Sequence, residues 1–246
     1  GGQMEGNITD ILMDYVRLLT HIDIIKFQSM AREVLRLQKD LLDIYETVGF
    51  LDSMIAAASY REMMREWCVP KMEQAEGRAF YLEADEIYHP LLHEPVKNTI
   101  HAHRNVLLTG SNASGKSTFI KTVAINVILA QTLHTVLAQR YEAVYFRVYS
   151  SMALRDDITS NESYYMVEIK SLKRIVDQAM ESGEPVLCFI DEVLRGTNTV
   201  ERIAASTEIL SLLAQKNAFC FAATHDIELT ELLKEQYDNY HFEEQV

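Results

Sequence analysis

The chain has 246 residues, and 48% of them are hydrophobic, which is enough for one large or two modest domains with a buried core. Its formal net charge of −13, without a cluster of Lys and Arg, argues against a surface that grips a nucleic-acid backbone. The three cysteines have apolar neighbours and no CxxC spacing, which argues against a disulfide framework or a zinc site and indicates reduced core residues of a cytoplasmic protein.

The first part of the chain is predicted to be helical. Residues 9–68 contain no Pro and a single Gly, Gly49, and their apolar residues recur at helical spacing. Pro70 ends this region, and the character of the sequence then changes. We therefore predict an all-helical segment over residues 1–70 and a second domain over residues 71–246.

The second domain alternates short apolar strands with helices. Its first part, up to residue 105, has short pieces suited to β-structure that are broken by prolines. Further along, the pattern predicts strands at 106–108, Ala143–Tyr149, Val186–Ile190 and Ala218–Ala223, and helices at Thr118–Gln139, Ser163–Met180 and Val200–Lys216. Such alternation predicts an α/β fold with a mostly parallel sheet flanked by helices and a ligand at the carboxyl ends of the strands. Polar side chains interrupt the long uncharged stretch Thr122–Gln139, so we predict a buried helix and no membrane segment.

A phosphate-binding loop is predicted between the first of these strands and the helix after it. Residues 110–117 are GSNASGKS, which fits the P-loop pattern GxxxxGKS. Two glycines allow the backbone N–H groups to point at a polyphosphate, and the helix amino terminus adds partial positive charge. Lys116 would contact the β- and γ-phosphates of ATP, and the Ser117 hydroxyl would ligate Mg²⁺. The predicted nucleotide contacts are Gly110, Ser111, Asn112, Ala113, Ser114, Gly115, Lys116, Ser117 and Thr118.

Two further strands end in residues suited to phosphate chemistry. A wholly apolar run ends in Asp191 and Glu192, the Walker B pattern. Asp191 would hold Mg²⁺ through its water shell, and Glu192 would polarise the attacking water as a general base. His225 follows another apolar run, where it would reach the γ-phosphate or order the water. We therefore predict that Glu192, His225 and Lys116 are the catalytic residues.

Four motifs together carry a family resemblance. They are TGSNASGKST at residues 109–118, SYYMVE at 163–168, IDEVLRGTNT at 190–199 and ATHDIEL at 223–229. In this order they resemble the TGPNxxGKST, STFMVEM, DExGRGTST and ATHxxEL motifs in the ATPase domain of the MutS family of DNA mismatch-repair proteins. Residues upstream of Pro70 also resemble the end of that family's helical core domain.

The resemblance implies an ABC-type, Mg²⁺-dependent ATPase that works as a head-to-tail homodimer and drives a clamp on mismatched DNA. Each ATP would be held by the P-loop of one subunit and touched in trans by Ser163 of the other, although a serine at a helix start is also a favoured N-cap. Asn112 would approach the γ-phosphate, and residues 195–199 would cross the dimer seam. Because the family's ATPase domain continues past the position of Val246, the resemblance also implies a fragment truncated at its C-terminus, with DNA bound through domains absent from this chain.

The sequence departs from the family motifs at several positions. The departures are Ser111, Asn161, Glu162, Tyr164, Tyr165 and Leu194, of which Leu194 replaces a glycine. The aromatic residue that stacks on adenine in the family is replaced as well, because Val96 stands in its neighbourhood. His89, Tyr88 or another aromatic residue would have to contact the base.

Two other functions stay open from the sequence. One is another ABC-type ATPase, SMC-like or from a transporter, although a transporter ATPase would carry LSGGQ on an inserted helical subdomain and a longer gap between the two Walker motifs. The other is a nucleotide-gated dimerisation module that binds ATP and does little chemistry alone.

Overall fold

The structure is a computed structural model that describes residues 8–75, 77, 79–111, 114–152, 164–181, 183–194 and 198–243. Of residues 8–12, 14 and 164 it describes the backbone. The chain divides into two compact units, Gly1–Tyr60 and Arg61–Val246.

The amino-terminal part of the chain is helical, as its spacing predicts. Its helices are α1 (Ile8–Thr20), α2 (Ile22–Arg36) and α3 (Gln38–Met63). His21 separates the first two helices because it adopts a left-handed backbone conformation, with φ of 50°. Gly49 is tolerated inside α3. No described side chain of α2 or α3 is buried, so these helices carry their apolar residues on the surface.

The rest of the chain alternates strands and helices. The strands are β1 (Lys71–Glu73), β2 (Leu82–Ile87), β3 (Asn98–Ala102), β4 (Asn105–Gly110), β5 (Arg140–Val144), β6 (Arg147–Ser151), β7 (Val186–Asp191), β8 (Ala218–Ala223) and β9 (Tyr237–Phe242). The helices are α4 (Lys116–Leu133), α5 (Tyr164–Met180), α6 (Thr199–Gln215) and α7 (Glu228–Leu232).

A five-stranded sheet forms the centre of this unit. Its order is β6-β7-β8-β4-β9, and all of its strand pairs are parallel. The strands β7 and β8 are buried almost throughout, because helices cover both faces of the sheet. On one face α4 packs against Phe189 and Phe221, and on the other α5 and α6 pack against Cys188 and Cys220. The predicted α/β fold with a parallel sheet flanked by helices is therefore confirmed.

A second sheet has four strands in the order β1-β5-β2-β3. Strands β1 and β5 are parallel, whereas β2 runs antiparallel to both β5 and β3. Leu82 and Ala84 are buried while Glu83 and Asp85 point to the other face, which is the alternation of a strand with one covered side. This sheet contains the short β-pieces that the sequence indicates before residue 105.

The prediction of a single strand over Ala143–Tyr149 is wrong. The apolar run contains the end of β5 and the start of β6, which belong to different sheets. Between them the Tyr145 N–H donates to the Glu73 carbonyl, and the Phe146 N–H donates to Gln131 Oε1 at 2.7 Å. Apolar periodicity does not reveal the change of sheet, because Phe146 is buried like its neighbours.

The helix after the P-loop is shorter than predicted. It ends at Leu133 because His134 adopts a left-handed conformation, with φ of 47°. The polar residue Asn126 is fully buried in this helix and is satisfied by its surroundings: its Oδ1 accepts the Leu137 N–H at 2.7 Å, and its Nδ2 donates to the Tyr88 carbonyl at 3.1 Å. Within the described residues, no helix has the length and apolar character needed to cross a membrane.

We expect the substitution Asn126→Leu to lower the free energy of unfolding by about 2–4 kcal/mol, because it leaves a buried carbonyl and a buried N–H without partners. Urea denaturation measures the change. The control is Asn239→Leu, since Asn239 is exposed and its side chain donates a hydrogen bond to the Thr230 carbonyl at 3.1 Å. Its cost should be below about 1 kcal/mol, and an equal loss in the two variants would contradict the role of the buried amide.

Candidate functional site

The predicted phosphate-binding loop connects β4 to α4. Gly110 is the last residue of β4 and has φ of 142°, and Gly115 precedes α4 with φ of 92°. These angles fall where a side chain is strained, which explains why glycine occupies both positions. The Ser114 hydroxyl donates to the Ser111 carbonyl at 2.9 Å across the loop. Asn112 and Ala113, two of the predicted contacts, lie outside the described residues.

The first glycine of the loop also touches the edge strand β9. A Cβ atom added to Gly110 would lie 2.4 Å from the Phe242 carbonyl oxygen and 2.9 Å from Ser114 Oγ. A Cβ added to Gly115 would meet nothing within 4 Å. The β9 backbone therefore approaches Gly110 this closely only because glycine has no side chain.

Lys116 is buried, and its ammonium group lies inside the loop. Its Nζ donates to the carbonyl oxygens of Gly110 at 2.7 Å and Ser111 at 2.6 Å. An ammonium group has three N–H donors, so within the described residues these bonds leave one donor for an anion. The position fits the phosphate contact predicted for Lys116, and that role stays a prediction.

Ser117 and Asp191 meet at the carboxyl ends of β4 and β7. The Ser117 hydroxyl donates to Asp191 Oδ1 at 3.0 Å. A hydroxyl and a carboxylate are oxygen ligands of the kind that Mg²⁺ binds, directly or through its own waters. The two residues therefore fit the predicted metal site, although they are far apart in the sequence.

Glu192 and His225 lie next to this pair. The Glu192 N–H donates to the Ala223 carbonyl at 2.9 Å, which joins the end of β7 to the end of β8. His225 Nδ1 lies 3.4 Å from Glu192 Oε1. Glu192 has φ of 61°, which is uncommon for a residue with a side chain. The structure thus brings together the two residues predicted to activate and order water.

A buried carboxylate supports the loop after Glu192. Leu194 has φ of 57°, a conformation that costs a residue with a side chain about 1–2 kcal/mol, and it stands where the family pattern has glycine. Its N–H donates to Oε1 of Glu168 at 2.5 Å, and Glu168 is 2% exposed. The sequence patterns assigned no role to Glu168. Its place at the end of the motif SYYMVE, residues 163–168, is the signal that could have identified it.

An ion pair that the sequence did not suggest involves Asp226, the residue that follows His225. Arg202, in the first turn of α6, donates from Nε to Asp226 Oδ2 at 2.8 Å and from Nη2 to Asp226 Oδ1 at 2.6 Å. The hydrogen bond from Arg202 lowers the pKa of Asp226, so this carboxyl group is charged at neutral pH. No sequence pattern connects a residue on a helix with one after a later strand.

A cavity of about 580 Å³ opens beside the P-loop and the first turns of α4. Its lining includes His89, Leu92, Val96, Thr118 and Phe242. His89 Nδ1 accepts the Leu91 N–H at 3.2 Å, and burial, followed by the charge of Lys121, lowers the pKa of His89, which favours the neutral ring. Tyr88, another aromatic residue considered above, lines a neighbouring cavity of about 540 Å³ that shares Leu92 and Glu94 with the first.

The predicted contacts across a dimer fall largely outside the described residues. Ser163 is not described, and α5 begins at Tyr164. Residues 195–197 are not described either. Asn198, the next described residue, caps α6 by accepting the Glu201 N–H at 3.0 Å. The role of Ser163 in trans therefore stays a prediction.

The parallel sheet and the loop between β4 and α4 define a P-loop α/β domain. The family model for MutS domain V matches residues 106–245, more than half of the chain, and the chain belongs to this family.

The chain is similar to several proteins named DNA mismatch repair protein MutS. The one from Thermotoga petrophila is 31% identical over 216 residues, which are 85% of this chain and 26% of that protein. The one from Pseudothermotoga lettingae is 42% identical over 135 residues, 54% of this chain and 16% of that protein. The one from Leptospira interrogans is 29% identical over 238 residues, 90% of this chain and 27% of that protein. This chain therefore spans about a quarter of the length of these relatives, or less.

We expect Gly110→Ala to destabilise the protein more than Gly115→Ala. Both substitutions strain the backbone by about 1–2 kcal/mol, but only the first places a Cβ against the backbone of β9. Urea denaturation of the two variants gives the difference directly. Equal unfolding midpoints would show that β9 moves away from the loop without cost.

Proposed function

We propose that this chain contains the Mg²⁺-dependent, ABC-type ATPase domain of a MutS-like DNA mismatch-repair protein, preceded by the end of its helical core domain. The contact between Ser117 and Asp191 at 3.0 Å is the observation that carries the proposal, because it joins the P-loop to the Walker B strand. Glu192 and His225 lie beside it. The names of the relatives, DNA mismatch repair protein MutS, support the wider biological role.

The P-loop would bind the triphosphate of ATP. Its N–H groups and the amino terminus of α4 supply partial positive charge, and Lys116 adds a full charge close to the same point. Ser117 and Asp191 would hold Mg²⁺, which when bound offsets negative charge on the β- and γ-phosphates.

Glu192 would act as the general base in hydrolysis. Glu192 follows β7, which is separated from the P-loop strand β4 by β8 alone, and a carboxylate at this edge of the sheet is suited to take a proton from a water that attacks the γ-phosphate. His225, 3.4 Å from this carboxylate, would order the water or contact the γ-phosphate. The left-handed backbone conformation of Glu192 sets the direction of its Cα–Cβ bond. Because this conformation is strained, it supports a specific role for the side chain at this position.

The cavity beside the P-loop would take the nucleoside. His89 and Phe242 offer ring faces to a base, while Leu92 and Val96 offer aliphatic contacts. The neutral form of His89 suits stacking on an uncharged adenine. We therefore propose His89 and Phe242 as the aromatic contacts in place of the family's aromatic residue near Val96.

Two copies of the chain would form composite ATP sites. In this arrangement the P-loop of one subunit binds ATP, and Ser163 of the other subunit, which precedes α5 in the sequence, contacts it. Support comes from the family resemblance of the SYYMVE motif and from the position of Ser163 just before a helix, where backbone N–H groups bind anions. DNA would be contacted by other parts of a longer protein, in keeping with the net charge of −13 on this chain.

A nucleotide-gated dimerisation module is the second candidate. The residues Asn161 and Glu162, which replace the family's pair before Ser163, favour it because they alter the segment that would meet the partner's ATP. Such a module would bind ATP and associate without appreciable turnover.

We expect Glu192→Gln to lower kcat for ATP hydrolysis by about 100-fold or more while ATP affinity stays within about threefold, because the amide cannot accept the proton from water. Release of inorganic phosphate measures turnover, and equilibrium binding of a fluorescent ATP analogue measures affinity. Wild-type kcat in this variant would remove Glu192 from the mechanism.

The matched control is Glu184→Gln. Glu184 is exposed and precedes β7, so it has the same chemistry at the opposite end of the same strand. It should keep the wild-type kcat and affinity, and a comparable loss in both variants would point to a general effect of charge.

We expect turnover per chain to rise with protein concentration, because a composite site exists only in the dimer. Phosphate release over a dilution series, beside the sedimentation coefficient at each concentration, tests this. A constant turnover per chain in a monomeric sample would contradict the shared site, whereas ATP-dependent association without turnover would favour the dimerisation module.

A further inference from the structure

Residues on both sides of the connection from β7 to α6 make hydrogen bonds to the segment that carries His225. At its start, the Glu192 N–H donates to the Ala223 carbonyl at 2.9 Å. At its end, Arg202 of α6 makes two hydrogen bonds to Asp226, the residue after His225. Glu192 and Arg202, which lie on either side of residues 195–197, therefore both bind the segment 223–226 that contains His225.

The contact between Arg202 and Asp226 is well fixed. The Arg202 and Asp226 side chains are 14% and 8% exposed, and two parallel N–H···O bonds define the orientation as well as the distance of the pair. The Arg202 N–H donates to the carbonyl of Asn198, the N-cap of α6, at 2.9 Å. The position of Arg202 therefore follows from where α6 begins.

Asp226, the other residue of this pair, is next to His225 in the sequence. The Asp226 N–H donates to Thr224 Oγ1 at 3.0 Å, which bridges His225 and holds the turn around it. The His225 side chain itself is 40% exposed, whereas Asp226 and Thr224 are buried. Since the two residues on either side are fixed, the direction of the imidazole toward Glu192 depends on how Asp226 is held.

We infer that Arg202 is a positioning residue that acts through Asp226 to hold His225 against Glu192. The effect on hydrolysis rests on the proposed function, whereas the arrangement of the two side chains can be tested without turnover. If the pair of Arg202 and Asp226 only stabilised the fold, its removal would lower stability and leave the orientation of His225 unchanged. The variants are therefore compared in both stability and His225 orientation.

Two variants weaken the pair in different ways. Arg202→Lys keeps the charge and loses the two parallel bonds. The double variant Arg202→Met with Asp226→Leu removes both buried charges, so that neither remains unpaired and the fold is retained. The control is Arg104→Met, because Arg104 pairs with Asp238 at 2.8 Å and lies just before β4, at the end of the strand opposite to the P-loop.

The first measurement is ATP hydrolysis by the full chain. We expect kcat to fall by about 10- to 100-fold in both variants while KM changes by less than about threefold, because a displaced catalytic group affects the chemical step more than binding. The Arg104→Met variant should keep the wild-type kcat. Urea unfolding curves measured in parallel give the free energy of unfolding and hence the folded fraction, by which each rate is corrected.

The second measurement follows the His225 ring by NMR. In the wild-type protein, Glu192→Gln should shift the imidazole carbon-bound proton of His225, since the two side chains lie 3.4 Å apart. In the Arg202→Met, Asp226→Leu background, Glu192→Gln should shift the His225 proton signal much less. In the Arg104→Met background, it should shift this signal as much as in the wild-type protein.

The outcomes separate the inference from the proposed function. Wild-type kcat and an undiminished His225 response in folded Arg202 variants would overturn the inference, as would a loss of rate explained by the unfolded fraction alone with the response retained. A wild-type protein without turnover would count against the proposed ATPase, and the His225 response would then decide the positioning role by itself.

Discussion

Parallel strand pairing is the constraint on which the candidate site depends. Strands β7, β8 and β4 are neighbours and run in the same direction, so their carboxyl ends meet at one edge of the sheet. Lys116, Asp191 and His225 each follow or end one of these strands and are far apart in the sequence. A shift of register by one residue in β7 would separate Asp191 from Ser117 and turn its side chain to the other face. The buried apolar side chains of β7 and β8, which fill the space under both layers of helices, fix the register.

Backbone strain is concentrated just after β7. Glu192 and Leu194 both adopt left-handed conformations, and glycine would relieve the strain at either position. A side chain is kept at Leu194 because it is buried against the core, and its N–H is held by Glu168. The strain is therefore balanced by apolar burial and one hydrogen bond to a buried carboxylate. The loop has little freedom at its start, which suits a segment that must present a carboxylate at a defined point.

Local sequence patterns predict much of the fold. The features that they do not predict depend on contacts between residues that are far apart in the sequence. The helical first part, the strands β7 and β8 and the loop between β4 and α4 follow from runs of neighbouring residues, so the fold class and the place of the candidate site could be predicted. The change of sheet between β5 and β6 could not, because Phe146 is as apolar and buried as a strand residue. The pair of Arg202 and Asp226 joins a helix to a distant turn, and neither residue belongs to a periodic pattern. The left-handed Leu194 had one signal, the glycine at that position in the resembling family.

The contact between Gly110 and Phe242 has a consequence for how the protein folds during synthesis. The P-loop strand β4 lies between β8 and β9, and both partners are made long after it. Its sequence-distant pairing makes this part of the sheet slow to form. A nascent chain that has reached only β7 holds β4 with both edges unpaired and its apolar face open, which is a form prone to aggregation. The loop after β4 thus acquires its contact with Phe242 only when β9 has left the ribosome, and a ligand that binds the folded loop would favour completion of the sheet.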